Sequence, residues 1–246
     1  MKTRFKIAVV NLQSGIGTTK GYWEYFVSAW KYLLPGKDDF ILLAAETLKR
    51  EQVDIALLTE VNEISFRSGK SSQIKVLENA LVPMESAFFP TIRSGNHIHE
   101  GNAVLSRYPI EKSVAHALPR FTIPRFLGET KIRIGEQKVN VFVAHLSVTA
   151  SRRKRQLEAV GAILSKKDGP IILGGDFNER EVHVLEKLLH TGLTTILTEK
   201  SYPSWKPKHS LDYLLVSDHF SVHNCYIPES IRFSDHAPIV VDLEIR

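Results

Sequence analysis

Ile171-Ile172-Leu173 is a short apolar run that stops at Gly174-Gly175 and then delivers Asp176, Phe177 and Asn178. Glycines let a backbone approach a ligand closely, and in an extended stretch residues two apart point to one side. On that reading Asp176 and Asn178 address one substrate together, as a base beside a hydrogen-bond donor. Ser234-Asp235-His236 brings a carboxylate and an imidazole to the start of another apolar run, and Leu211-Asp212-Tyr213 places an acid at the start of a third. Aspartate is disfavoured in strands, so Asp212 needs a local reason. His145 in Ala144-His145-Leu146-Ser147, Glu60 in Leu57-Leu58-Thr59-Glu60 and Asn11 after Val9-Val10 each close an apolar run with a polar side chain. Any one of these alone reads as a cap, a turn residue or a satisfied core histidine. Their recurrence reads as a site. Asn11, Glu60 and Asp235 all offer oxygen, the donor type preferred by Mg²⁺, with Mn²⁺ as the alternative ion. Cys225 is the single cysteine and an HExxH helix is missing, so zinc is poorly served.

These side chains need strands to carry them. Phe5–Val10, Ile55–Leu58, Ala103–Leu105, Lys138–Ala144, Ile171–Leu173, Tyr213–Val216 and Ile239–Ile245 have strand composition. Apolar positions recurring three and four apart predict helices at Phe40–Arg50, Ser72–Leu81, Ser151–Ser165 and Arg180–His190. Strands alternating with helices predict an α/β protein in which helices cover sheets, with polar residues gathered at the C-terminal ends of strands. No repeat or Pro/Gly/Ser linker marks a boundary, so residues 1–246 read as one domain. Loops at Arg93–Glu100, Pro119–Gly128 and Ser201–His209 carry basic residues and prolines that suit the rim of a cleft.

The composition, 43% hydrophobic and 24% charged, is that of an ordinary globular chain. Lys and Arg number 32 against 27 Asp and Glu, a net charge of +5 that favours polyanionic partners such as nucleic acid or an acidic lipid surface. With no cysteine pair, signal-like run or membrane-length apolar stretch, the expected location is cytoplasmic. Tyr22–Leu34 holds two of the three tryptophans. It suits a buried helix, a substrate wall or a lipid-contacting patch.

In order and type, these motifs resemble the endonuclease/exonuclease/phosphatase superfamily of deoxyribonuclease-like metal-dependent phosphoesterases. The likeness rests on Asn11, Glu60, Gly101-Asn102-Ala103-Val104-Leu105-Ser106-Arg107-Tyr108-Pro109-Ile110, His145-Leu146-Ser147, Gly175-Asp176-Phe177-Asn178, Leu211-Asp212-Tyr213 and Ser234-Asp235-His236, nearly the whole chain. It implies a four-layer sandwich, two face-to-face mixed β-sheets flanked by helices, and hydrolysis of a phosphodiester by metal-assisted attack of water. By this resemblance Glu60 ligates Mg²⁺ with Asn11 and Asp235 beside it, Asp176 orients or deprotonates the water, and Asn178 holds a phosphate oxygen. Asp212 orients His236 on the scissile phosphate, and His145 is a second phosphate contact or the leaving-group acid. Asn102 and Arg107 of the matched segment are expected to contact substrate, Arg107 gripping phosphate at the cleft mouth.

Three functions compete. A nuclease acting on DNA or RNA draws on the net charge and on the basic run Arg152-Arg153-Lys154-Arg155. A phospholipid or small-molecule phosphoesterase draws on the aromatic segment, with a membrane surface as partner. A non-catalytic module holding phosphate ligands ranks last, because the whole polar set is present. No protein partner is implied.

Overall fold

The computed structural model describes residues 3–24, 39–65, 72–94, 98–120, 123–196, 200–229 and 232–246. Its strands are β1 (Thr3–Asn11), β2 (Ile55–Ser65), β3 (Glu85–Ser94), β4 (Ile98–Ser106), β5 (Ile110–Ala117), β6 (Phe126–Ile134), β7 (Gln137–His145), β8 (Ile171–Asp176), β9 (Thr194–Ile196), β10 (Asp212–Val216), β11 (Phe220–Tyr226) and β12 (Ile239–Ile245). They form two six-stranded sheets, ordered β11-β12-β1-β2-β4-β3 and β5-β6-β7-β8-β10-β9. Each sheet is mixed, because β1 and β2, and β7 and β8, run parallel while the other pairings are antiparallel.

The central strands are apolar on both faces because each face has its own partner. Phe5, Ile7 and Val9 of β1 meet Val141 and Val143 of β7 and Leu214 of β10 in the core between the sheets. The alternate residues Ala8 and Val10 pack under Ile41, Ala44 and Leu48 of α1 (Asp39–Arg50) and Ile74 and Leu77 of α2 (Gln73–Ala80). On the far side Phe142, Ala144 and Leu173 pack under Leu157, Val160 and Leu164 of α3 (Ala150–Leu164) and Leu185 and Leu189 of α4 (Val182–Leu189). The layers are therefore helix, sheet, sheet and helix, the expected four-layer sandwich. Each fully buried aliphatic side chain contributes roughly 1.5–3 kcal/mol.

Every expected strand and helix is present, and five further strands were not foreseen: β3, β5, β6, β9 and β11. Of the expected loop at Arg93–Glu100, Arg93 and Ser94 end β3 and Ile98–Glu100 begin β4, the two strands being paired, while 95–97 lie outside the described residues; β6 takes up the last residues of the expected loop at Pro119–Gly128, of which 121 and 122 are likewise outside them. Most of the aromatic segment, from residue 25 onward, lies outside the described residues.

The double glycine serves the protein's own packing. A Cβ on Gly175, at φ +138°, would sit 2.0 Å from the Ala144 carbonyl oxygen of the neighbouring strand, and one on Gly174 would sit 2.6 Å from Leu57 Cδ1 of the opposite sheet. The expected close approach to a ligand is thus an approach of strand to strand and sheet to sheet.

Candidate active site

The polar residues meet at one edge of the sandwich. β1, β7 and β8 reach that edge with their C-terminal ends, which carry Asn11, His145 and Asp176, and β2 brings Glu60 from its middle, just past the point where the parallel β1 ends opposite Thr59. β10 and β12 are antiparallel to their neighbours, so they begin where those end, and deliver Asp212 and, just before the strand, Asp235 and His236. Less than half of the site therefore stands at the C-terminal ends of strands. In the second sheet Asp176 is paired across to His145 on one side and Asp212 on the other. Glu60 sits in a β-bulge, where the register slips between Leu58 and Val61, at φ +53°. Left-handed backbone costs a non-glycine residue roughly 1–2 kcal/mol, and here it turns the carboxylate out of the strand toward the cleft.

Asn178 reaches the cleft by a different route from the expected extended pair. Its φ is +52°. Its backbone N–H donates to Asp176 Oδ1 at 2.9 Å and its Nδ2 to the Leu146 carbonyl at 3.1 Å, a turn that folds it back beside Asp176. The resulting cleft, about 620 Å³, is lined by Glu60, His145, Asp176, Asn178, Asp235 and His236, together with Val148, Tyr202 and others.

Oδ2 of Asp176 is where the groups converge. Asn11 Nδ2 donates to it at 3.2 Å, His145 Nε2 lies 3.7 Å away and His236 Nε2 3.9 Å away. His236 Nδ1 is 2.7 Å from Asp212 Oδ2, which also accepts the Ser201 hydroxyl at 2.6 Å. That is the local reason for an aspartate at the start of β10: a carboxylate 1% exposed that fixes the tautomer of a buried imidazole.

Burial and neighbours give these groups unusual proton affinities. Burial is the largest influence on Glu60, followed by repulsion from Glu100, Asp235 and Asp176, and its carboxyl is pushed up to about 8. Burial also pushes Asp176 up, to about 7, against the attraction of His236. The two histidines part company. Burial disfavours charge on both, but Asp212, with Asp176 and Asp235 behind it, overrides burial at His236 and holds its imidazolium well above the ordinary range. At His145 burial is joined by the positive charges of Arg125 and His236, and the ring is held neutral, well below that range.

Carboxylates crowded enough to raise one another are a donor set in want of a cation. Glu60, His145 and Asp176 each offer a ligand atom, all within 4.8 Å of one another, and so do Asp176, Asp212 and His236. The oxygen-rich first group suits a hard divalent ion, with neutral His145 as an unforeseen nitrogen donor. Asn11 lies among the expected ligands: its Oδ1 accepts the Gln13 N–H at 2.9 Å and its NH₂ faces the carboxylates, reaching Glu60 Oε1 at 3.4 Å as well as Asp176, so that it braces them across the two sheets.

Arg107 is not in the cleft. It follows β4 at the opposite end of the sandwich, with Nε 3.3 Å from Asp54, and lines a separate surface cleft with Arg4, Lys6 and Lys49. Ser106 pairs with Ile55, so roughly five residues of strand, about 17 Å, separate it from Glu60. Asn102 lies opposite the Glu60 bulge but is 1% exposed, and its Nδ2 has no hydrogen-bond partner. Within the basic run, Arg153 turns inward: Nε bonds Glu179 at 2.9 Å and Nη1 the carbonyls of Ser147 and Val148 at 3.2 and 2.9 Å. With Gln156 Oε1 accepting the Ser147 N–H at 2.9 Å, α3 grips the loop after His145.

Several contributors escaped sequence reasoning. Arg125 is partly buried, which lowers its proton affinity against the attraction of Glu60, Asp176 and Glu100. Glu100 accepts the Ser14 hydroxyl at 2.8 Å, and the ring of Tyr202 lies 4.8 Å from that of His236. None stands in a motif, and basic loop content was the sole hint of Arg125.

A model of the Endonuclease/Exonuclease/phosphatase family matches residues 11–236. Uncharacterized protein YbhP of Escherichia coli (strain K12) is 28% identical over 171 residues, 60% of this chain, and the match spans 64% of that relative's length. Among solved structures, the Bacteroides thetaiotaomicron VPI-5482 mannosyl-6-phosphatase Bt3783 is 16% identical with a TM-score of 0.72, covering 97% of this chain and 99% of its own. D. rerio TDP2 complexed with a single strand DNA product gives 16% and 0.72, covering 98% and 99%. At such identities the shared property is the fold.

Proposed function

The chain belongs to the endonuclease/exonuclease/phosphatase family, and on that premise we propose that it hydrolyses phosphodiesters at the cleft around Asp176 with the help of a divalent cation, Mg²⁺ first among them. The observation that carries this reading is the convergence of Asn11, His145 and His236 on Oδ2 of Asp176, with His236 held from behind by Asp212. Water attacks phosphorus and its proton passes to Asp176 Oδ2, a carboxyl whose proton affinity burial raises. The new P–O bond forms as the bond to the leaving oxygen breaks. His236, charged and oriented by Asp212, presents an N–H at Nε2 to the developing charge and donates the proton the leaving oxygen needs. Neutral His145 and the amide of Asn178 complete the walls. Glu60 and Asp235 would hold the cation, which when bound supplies positive charge to phosphate oxygens.

Nucleic acids and phospholipids both carry such a bond. The net charge of +5 supports the first, but Arg107 and Arg153, two of its cations, are engaged elsewhere. The apolar rim described below supports the second. Mg²⁺-dependent turnover is tested on plasmid, oligonucleotides, phospholipid vesicles and bis(p-nitrophenyl) phosphate. Asp176→Asn and His236→Ala should each lower turnover by roughly 10²–10⁴-fold with the fold retained. Folded protein inactive on the whole panel with any divalent ion defeats the proposal.

A further inference from the structure

The floor of the cleft is polar and charged, but its rim is not. Among the described residues, large hydrophobic side chains left exposed include Tyr22 at 52%, Trp23 at 58%, Ile123 at 49% and Val148 at 75%. They stand on three loops of the catalytic edge. Val148 lines the cleft and belongs to the turn after His145. Ile123 is two residues from Arg125, whose charge faces Glu60 and Asp176. Tyr22 packs edge-on against Trp205 with centroids 5.3 Å apart, and Trp205 lies three residues beyond Tyr202, whose ring rests on His236. Exposed apolar side chains scattered singly need no explanation, but such a set around one functional mouth does.

Taken together, four of the loops on this edge are basic. Residues 16–24, 118–125, 146–149 and 200–211 contain Lys20, Arg120, Arg125, Lys200, Lys206 and Lys208 against Glu24, while the cleft wall at residues 177–181 adds Arg180 beside Glu179 and Glu181. Lys20, Arg120, Lys206 and Lys208 are exposed. Cations interleaved with Trp, Tyr and aliphatic side chains match the boundary of an anionic bilayer, where aromatic rings sit at headgroup depth and lysines meet the surface charge. A nucleic acid strand would use ring faces, but Val148 and Ile123 on two of the three loops offer no ring to stack a base.

We propose that this rim docks the protein on an anionic lipid surface, so that the cleft takes the phosphodiester of an amphiphile whose apolar part stays against Trp23, Ile123 and Val148. The inference rests on the phosphodiesterase reading of the cleft, but binding and turnover are measured separately. The protein should float with vesicles of phosphatidylcholine containing phosphatidylglycerol and much less with phosphatidylcholine alone. Trp23→Ser combined with Ile123→Ser should cut the bound fraction about tenfold, with the circular dichroism spectrum and melting temperature of the protein retained. Lys206→Glu with Lys208→Glu, on the polar side of the rim, should weaken flotation without threatening the fold. Failure to bind either vesicle overturns the inference, and so do binding indifferent to both pairs of substitutions and a loss, in the Trp23 variant, of single-strand oligonucleotide affinity alone. Vesicle binding by a protein inactive on every diester would instead leave the docking surface standing and remove the catalytic reading.

Discussion

At the scale of single residues, the site is a problem of charge in a confined space. Glu60 is held up to about 8 chiefly by burial and then by its carboxylate neighbours. A carboxyl raised in the folded state binds a proton that the unfolded chain has already released. Its contribution to stability is therefore full below the ordinary carboxylate range and is lost as pH rises toward 8. A divalent ion replaces that proton, and the metal-induced rise in melting temperature should be larger at pH 8.5 than at pH 6, measured by thermal unfolding with and without Mg²⁺. A rise equal at both pH values would mean that Glu60 is not at the metal. Asp212 works the other way. Removing it by Asp212→Asn strips His236 of the partner that keeps it charged, so the alkaline limit of turnover should move to lower pH and kcat should fall by more than tenfold.

At the scale of elements, the catalytic residues are held by their strands and by what clamps the loops beyond them. Arg153 and Glu179, each 9% exposed, tie the loop after His145 to the turn after Asp176. Arg153→Ala strands a buried carboxylate and should cost about 3–5 kcal/mol of stability. Replacing both partners with methionine should recover most of that stability and little of the turnover, because an apolar pair refills the volume but does not hold the Ser147 and Val148 carbonyls. Calorimetric unfolding beside steady-state kinetics separates the two. Elements also explain which strands sequence reasoning overlooked. β3, β5, β9 and β11 are the four sheet edges. Edge strands bury less, tolerate interruptions such as Pro90 in β3 and the register slip in β11, and carry polar residues that blunt pairing, so their periodicity is weak.

At the scale of the whole molecule, the site exists because two sheets come close enough for Asn11 of one to bond Asp176 of the other. Gly174 is the contact that permits it, with the place of its absent Cβ also 3.1 Å from Val9. Gly174→Ala overpacks this interface and should cost about 1–3 kcal/mol. It should also lower turnover, because Glu60 lies in the first sheet and Asp176 in the second, and steady-state kinetics would detect that. Unaltered turnover in a destabilised Gly174→Ala would show that the sheets can shift without disturbing the carboxylates. No helix among the described residues is long and apolar enough to cross a membrane.

Every central strand but β6, the four helices and eight polar positions from Asn11 to His236 were legible in the chain, because buried strands are written in unbroken apolar runs and a polar residue ending one stands out against them, whereas Gly128, Glu129 and Lys131 break the run of β6. The amino-acid order also carried the family. Tertiary structure alone decided which polar residues share a cleft: it kept Asn178, sent Arg107 to the far end, turned Arg153 inward and brought in Arg125, Ser201 and Tyr202. It also set the opposite charges of His145 and His236, since the proton affinity of an imidazole depends on burial and on carboxylates brought near by folding, neither of which local sequence specifies.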